Sequence, residues 1–256
     1  MAYPEGLLKT RAVIRPGEYA VIPPEGRVRN VIPGIEGCTM SIIASPKLGA
    51  SFVQYVGTAL PGGGTATPFA QEPGVEAFLY VMDGEGALTA ATCGQKEKLT
   101  PGGYVFSPAG KGLAFTNTTD APVRFLLYKQ RYIALPGHEA EPVFSNTATM
   151  PERIYEDMAN VFIRDLLPTD LGFDMNMHTL SFEPAGCHPF VETHVQEHGA
   201  YLLEGEGIYL LGTEWIQVQK EDFIFFGPFT PQAVYATGRG RLTYIYSKDC
   251  NRDVAL

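Results

Sequence analysis

Short runs of β-branched and aromatic residues, closed off by Gly, Pro or Asp, recur along this whole chain. Ser51-Phe-Val-Gln-Tyr-Val, Tyr104-Val-Phe and Gly207-Ile-Tyr-Leu-Leu are typical. Turn signals interrupt them at intervals of about 8–12 residues, the rhythm of a sandwich or barrel. In Trp215-Ile-Gln-Val-Gln-Lys, apolar and polar positions alternate, so Ile216 and Val218 face one side of a strand. Helical spacing is confined to Ile154, Met158 and Val161, which predicts two turns at most. The 28 Gly and 20 Pro are spread through the sequence and read as turns between many strands.

The same pattern occurs twice. Tyr80-Val-Met-Asp-Gly-Glu-Gly86 aligns with Tyr201-Leu-Leu-Glu-Gly-Glu-Gly207, and Gly102-Gly-Tyr-Val-Phe-Ser-Pro108 with Asp222-Phe-Ile-Phe-Phe-Gly-Pro228. Phe125-Leu-Leu-Tyr-Lys129 matches Tyr244-Ile-Tyr-Ser-Lys248. With Pro61-Gly-Gly set against Pro184-Ala-Gly, the offset drifts from 123 to 119 residues, as small loop deletions would produce. An all-β chain of two tandem barrel-like units is expected, residues 1–140 and 141–256, joined through the Pro-, Ser- and Thr-containing stretch 136–151.

Composition narrows the function classes. Hydrophobic residues make up 45% and charged residues 18% of the 256, ordinary for a globular protein. A net charge of -9 with no basic stripe removes the electrostatic footprint of nucleic-acid or anionic-membrane binding. No apolar window is long enough to span a bilayer, and Met1-Ala-Tyr-Pro-Glu-Gly carries no export signal, so a cytoplasmic location is expected. Cys38, Cys93, Cys187 and Cys250 are far apart and read as free thiols.

Candidate chemistry concentrates in Gly186-Cys-His-Pro-Phe-Val-Glu-Thr-His-Val-Gln-Glu-His198. Glu192 and His194 share a strand face, and His198 keeps their parity. One carboxylate and two imidazoles on one interior suit manganese, iron, nickel or zinc, and Gln232 offers an amide oxygen as a fourth ligand. A lone histidine is more often a hydrogen-bonded core or surface residue, but here three of five fall within eleven residues. Of the others, His188 is expected in a turn, His178 has a register that would line the same cavity, and His138 is expected in solvent. Glu197 is expected to face away from the ligands. In the first copy, Glu192, His194 and His198 fall against Gln71, Pro73 and Ala77, and Gln232 against Gly112 or Lys111. That copy keeps the barrel pattern without ligands, as a packing or oligomerisation partner or a lid.

Gly186, five residues, Glu192-x-His194, three residues, His198, six residues, Gly205 resembles the first motif of the cupin superfamily, with Glu and His exchanged in order. Gln232 stands about where the second cupin motif supplies a His. The fold this implies is a double cupin. The phrases Leu171-Gly-Phe-Asp-Met-Asn-Met-His, Glu192-Thr-His-Val-Gln-Glu-His-Gly-Ala-Tyr and Tyr246-Ser-Lys-Asp-Cys-Asn-Arg-Asp further resemble the (S)-ureidoglycine aminohydrolase family, over about residues 8–256. The resemblance implies manganese held by Glu192, His194, His198 and Gln232, and a substrate pocket lined by Tyr209, Tyr244 and Lys248. It also implies a homo-oligomer that hydrolyses (S)-ureidoglycine to (S)-ureidoglycolate and ammonia in purine catabolism. Lys129 occupies the place of Lys248 in the first copy, a point in favour of a structural role. Rival readings are another metal cupin, a dioxygenase or sugar-acid isomerase, and a non-enzymatic small-ligand-binding cupin.

Overall fold

A computed structural model describes residues 10–256; the Met1–Gly6 stretch read for an export signal lies outside the described residues. In chain order the first strands are β1 (Val13–Arg15), β2 (Tyr19–Ile22), β3 (Ile35–Ala44), β4 (Phe52–Thr65), β5 (Val75–Asp83), β6 (Leu88–Thr92) and β7 (Gln95–Leu99). Next come β8 (Gly103–Ser107), β9 (Ala114–Asn117), β10 (Val123–Arg131), β11 (Val143–Asn146), β12 (Arg153–Tyr155), β13 (Met158–Asp165) and β14 (Met175–Phe182). The last are β15 (His198–Glu204), β16 (Glu206–Leu211), β17 (Glu214–Gln219), β18 (Phe223–Phe226), β19 (Gln232–Ala236) and β20 (Leu242–Asp249). Among the described residues there is no α-helix, only a 3-10 turn at Pro24–Gly26, and nothing helical is long and apolar enough to cross a membrane.

The all-β, two-barrel expectation holds. One antiparallel sheet runs β1-β2-β18-β15-β20-β14-β13-β12, with β17-β16-β19 closing the second barrel; the other contains β3 to β11 and forms the first. Two segments cross the expected boundary at residue 140. β2 pairs with β18, with Ala20 opposite Phe225, so β1 and β2 extend the second barrel's sheet. β11 pairs with β8, with Phe144 opposite Val105, so residues after 140 extend the first. Each barrel carries a strand from the other half, a pairing that local periodicity cannot report because it depends on contacts far apart in sequence.

The helical spacing at Ile154, Met158 and Val161 is instead a hairpin of β12 and β13. Tyr155 stands opposite Met158. Glu156 and Asp157 between them have φ of 43° and 63°, the left-handed pair of a two-residue turn. Period 2 then wins: Val161 and Ile163 are buried while Ile154 lies 53% exposed.

Each barrel has its own interior, and a third apolar cluster cements the two together. The first interior gathers Leu79, Val81, Val105, Phe115, Phe125 and Leu127. The second gathers Phe182, Leu202, Tyr209, Phe226, Val234, Tyr244 and Tyr246. Between them Phe52, Phe78, Tyr104 and Phe106 of one meet Phe173, Met177, Phe223 and Phe225 of the other. The repeat is visible in the turns. Gly84 and Gly205 both have positive φ, and a Cβ at Gly205 would stand 2.2 Å from the Arg241 carbonyl oxygen, so only glycine fits there.

A carboxyl pair is buried at this junction. Glu76 on β5 and Asp174 before β14 are 1% and 3% exposed. Glu76 accepts from Gln130 Nε2 at 2.9 Å, and Asp174 accepts from the Ile133 N–H at 2.6 Å. The remaining oxygens, Glu76 Oε2 and Asp174 Oδ1, have no donor, which a proton shared between the two carboxyls supplies. Burial first, then the Asp174 charge, pushes Glu76 well above the usual carboxylate range; burial also raises Asp174. With folded pKa values raised, the pair stabilises the fold fully below the ordinary carboxylate pKa and loses that contribution as pH rises through the raised values. Glu76→Gln, whose amide can donate to Asp174, is therefore expected to melt higher than the wild type at pH 8–9 and to show a flatter Tm profile from pH 5 to 9. Parallel profiles for the two proteins would remove the pair from the pH response.

Candidate active site

The second barrel's interior opens into a cavity of about 50 Å³. Its size suits a small polar molecule and nothing bulky. Its wall includes all seven residues singled out from the sequence: Glu192, His194, His198, Tyr209, Gln232, Tyr244 and Lys248. A larger hollow of about 560 Å³ at the barrel junction, near Val53, Lys129 and Asp174, contains no histidine.

Strand pairing explains the convergence. Glu192 and Gln232 form an antiparallel bridge, with Glu192 N–H donating to the Gln232 carbonyl at 2.8 Å and Gln232 N–H to the Glu192 carbonyl at 2.9 Å. Directly opposed residues share a sheet face, so the two side chains point into the barrel together. His198 opens β15 opposite Phe226, and its ring lies 4.8 Å from Phe226 and 5.2 Å from Tyr246, centroid to centroid. Its Nδ1 is 2.7 Å from the Ser247 carbonyl oxygen. A carbonyl only accepts, so Nδ1 carries the proton and the Nε2 lone pair faces the cavity. There it meets His194 Nε2 at 3.3 Å, and Gln232 Nε2 approaches that same His194 atom at 2.9 Å. A half-turn of the Gln232 amide places its oxygen at nearly the same point.

Among the described residues, no group of three or more His, Cys, Asp or Glu is drawn together tightly enough to hold an ion as it stands. The donor set nevertheless fits one. Burial pushes His198 well below, and His194 below, the usual imidazole range, so both are neutral and able to ligate. Burial raises Glu192, and the Lys248 charge pulls it back. Tyr209 and Tyr244 hydroxyls are 3.5 Å apart, and burial raises both, so they are neutral phenols.

The first barrel shows what the same backbone does without ligands. Phe69 and Leu113 make the equivalent bridge, at 2.9 and 2.8 Å. The counterparts of Glu192, His194, His198 and Gln232 are thus Phe69, Gln71, Ala77 and Leu113. The sequence alignment placed three of them one or two residues off, because the loop from 71 to 77 is two residues longer than that from 194 to 198. Where Tyr244 and Tyr246 stand in the second barrel, Phe125 and Leu127 fill the first. Lys129, in the register of Lys248, lies 5.2 Å above the Phe69 ring.

Other expectations are corrected or completed. His188 is not in a turn but follows the one at Pro184–Ala185: it is 4% exposed, lines the cavity, and packs edge-on against Phe182 at 5.2 Å. Neither of its ring nitrogens has a partner, a cost of about 1–3 kcal/mol for each buried group left unpaired. His178 does not line the cavity. It stacks behind Tyr246 at 5.0 Å with Nδ1 2.9 Å from Asp165, whose carboxyl is pushed down to about 2 by His178 and then Arg153. Glu197 faces away from the ligands, as expected, and accepts from the Ser51 N–H and hydroxyl of the first barrel. His138 is exposed, and the four cysteines are free. Tyr246 and Tyr155 also line the cavity. Tyr246 was legible, since Tyr244, Tyr246 and Lys248 alternate along one strand; Tyr155 gave no signal.

With this geometry in place, the comparisons are specific. A curated (S)-ureidoglycine aminohydrolase of Escherichia coli K12 is 46% identical over 255 residues, covering 99% of this chain and 97% of the relative. The chain belongs to the (S)-ureidoglycine aminohydrolase family. The Arabidopsis thaliana member is 32% identical over 247 residues, covering 95% of this chain and 79% of that protein. A Cupin domain model matches residues 58–128, in the ligand-free barrel, so it reports the strand and turn pattern and not the site. The crystal structure of protein Ylba from E. coli superposes with a TM-score of 0.88 at 43% identity, covering both chains completely. A putative glyoxylate-induced protein from Pseudomonas aeruginosa also gives 0.88 at 35% identity, over 99% of this chain and 95% of that one. A manganese-containing oxalate decarboxylase of Bacillus subtilis gives 0.68 at 11% identity over 98% of this chain and 81% of its own, a likeness of fold alone.

Proposed function

We propose that this chain is a metal-dependent hydrolase that converts (S)-ureidoglycine and water to (S)-ureidoglycolate and ammonia. The observation that carries the reading is one small cavity holding Glu192, His194, His198 and Gln232 beside Lys248 and the phenols of Tyr209 and Tyr244. The substrate is correspondingly small, with a carboxylate, an amine and a ureido group on one carbon. In the reaction the bond from that carbon to the amine breaks, a bond to water oxygen forms, and the amine departs with a proton.

Glu192, His194, His198 and Gln232 would hold a divalent ion, which we assign as manganese(II). Such an ion supplies Lewis acidity and lowers the pKa of bound water. The chain's own groups do the rest. Lys248 pairs with the substrate carboxylate, the strongest charge complement in the cavity. Tyr209 and Tyr244 present hydroxyls that fix the orientation of the reacting carbon. Apolar walls from Leu180 and Phe226 exclude bulk water. The catalytic unit is the second barrel, which includes β1 and β2, with the first barrel as its packing partner, in a cytoplasmic homo-oligomer.

Ammonia release from freshly generated ureidoglycine, corrected for spontaneous decay, tests the reading. Release that requires manganese and stops on chelation is expected. Oxygen uptake with iron loading and no ammonia would instead mark a dioxygenase.

A further inference from the structure

Among the described residues lining the cavity, His188 is the one histidine outside the ligand set. His188 is 4% exposed, and both its Nδ1 and its Nε2 are buried without a partner. Its place is fixed by the sheet. Cys187 bridges Tyr235, and the His188 N–H donates to the Val234 carbonyl at 3.1 Å. Val234 in turn lies opposite Tyr209 on β16. His188, Val234 and Tyr209 therefore form one inward-facing row across three chain segments. The next row, two residues along β19, is Glu192, Gln232 and Leu211. Two residues of strand separate the rows by roughly 7 Å.

Between His188 and Glu192 the chain makes four steps while β19 makes two. Pro189, Phe190 and Val191 form the excursion, and Phe190 and Val191 are each 51% exposed. Both histidine and glutamate thus keep an inward aim. Burial alone lowers His188 to about 4, so its ring is neutral, with one N–H donor and one lone-pair acceptor.

A neutral donor–acceptor pair one row away from the ligand rung complements one part of the proposed substrate. The carboxylate needs a cation and the amine sits on the reacting carbon. The ureido group is planar and uncharged, with a carbonyl acceptor beside N–H donors. We propose that His188 recognises the ureido group of the substrate and is the residue that makes the site selective for ureido over acyl compounds. This inference rests on the hydrolase reading above.

The test uses two analogues without the labile amine, bound calorimetrically to the manganese-loaded full chain. N-carbamoylglycine keeps the carboxylate and the ureido group; N-acetylglycine replaces the terminal NH₂ by methyl. The wild type is expected to prefer N-carbamoylglycine by about tenfold or more, the value of one buried hydrogen-bond partner. His188→Phe is expected to erase that preference and raise KM for ureidoglycine by a similar factor, with manganese content unchanged. His188→Gln, which keeps a donor and an acceptor, is expected to restore part of it, and its Tm guards against a folding defect in the Phe variant. A preference that survives His188→Phe, a wild type that binds neither analogue, or a loss of manganese in both variants overturns the assignment. Failure of the hydrolase reading looks different: the wild type would release no ammonia whatever the fate of the analogue preference.

Discussion

His198→Ala is expected to lose bound manganese and ammonia release together, by well over a hundredfold in each. Outer partners of metal-ligating histidines are alone worth about 10–100-fold in affinity or activity, and removing the ligand must exceed that. The structural reason is the orientation of the ring. Ser247 holds Nδ1 at 2.7 Å, leaving Nε2 as the atom that faces His194 and the cavity. Truncation also leaves a void between Phe226 and Tyr246, so a fall in Tm would confuse the result. Glu192→Gln avoids this: it keeps the side-chain shape and both backbone bonds to Gln232 while removing the one carboxylate that the described residues place on the cavity wall. The same joint loss is expected. Metal content by elemental analysis and turnover on fresh ureidoglycine check both variants, and full activity in a variant that binds no metal would sink the ligand assignment.

Lys248→Met is expected to separate the two quantities. Manganese content should stay at the wild-type level while kcat/KM falls roughly 10- to 100-fold, the worth of a charge-assisted hydrogen bond. Among the described residues, Lys248 is the only Lys or Arg on the wall of the cavity, and its charge acts on Glu192, His194 and His198 without competing for the ion. Its counterpart Lys129 covers Phe69 and pairs loosely with Glu72 at 3.7 Å, which shows that this register also serves packing. Methionine retains the apolar stem, so packing is preserved and only the charge is tested. Unchanged turnover would reduce Lys248 to the role of Lys129.

The strands, the duplication and the four candidate ligands were legible because each rests on local chemistry. Period-2 alternation carries Tyr244, Tyr246 and Lys248 along one face of β20. Glu192, His194 and His198 line one cavity although residues 193–197 form no strand, so their convergence comes from the Glu192–Gln232 bridge and the start of β15 rather than from strand parity. The hairpin at Glu156–Asp157 was misread as helix because spacing of three and four also arises when a strand turns back on itself. Positive φ at two non-glycine residues leaves no compositional mark.

What the chain alone determined is therefore the barrel type, its repetition and the set of candidate ligand groups that come to line one cavity. The tertiary structure decided three other things. It exchanged β2 and β11 between barrels, since strand partners are chosen by edges far apart in sequence. It shifted the first barrel's counterparts to Phe69 and Leu113, since bridges and not aligned letters set equivalence. It also turned His188 inward past an outlooping Pro189–Val191, where two unsatisfied nitrogens acquire meaning only from the cavity around them.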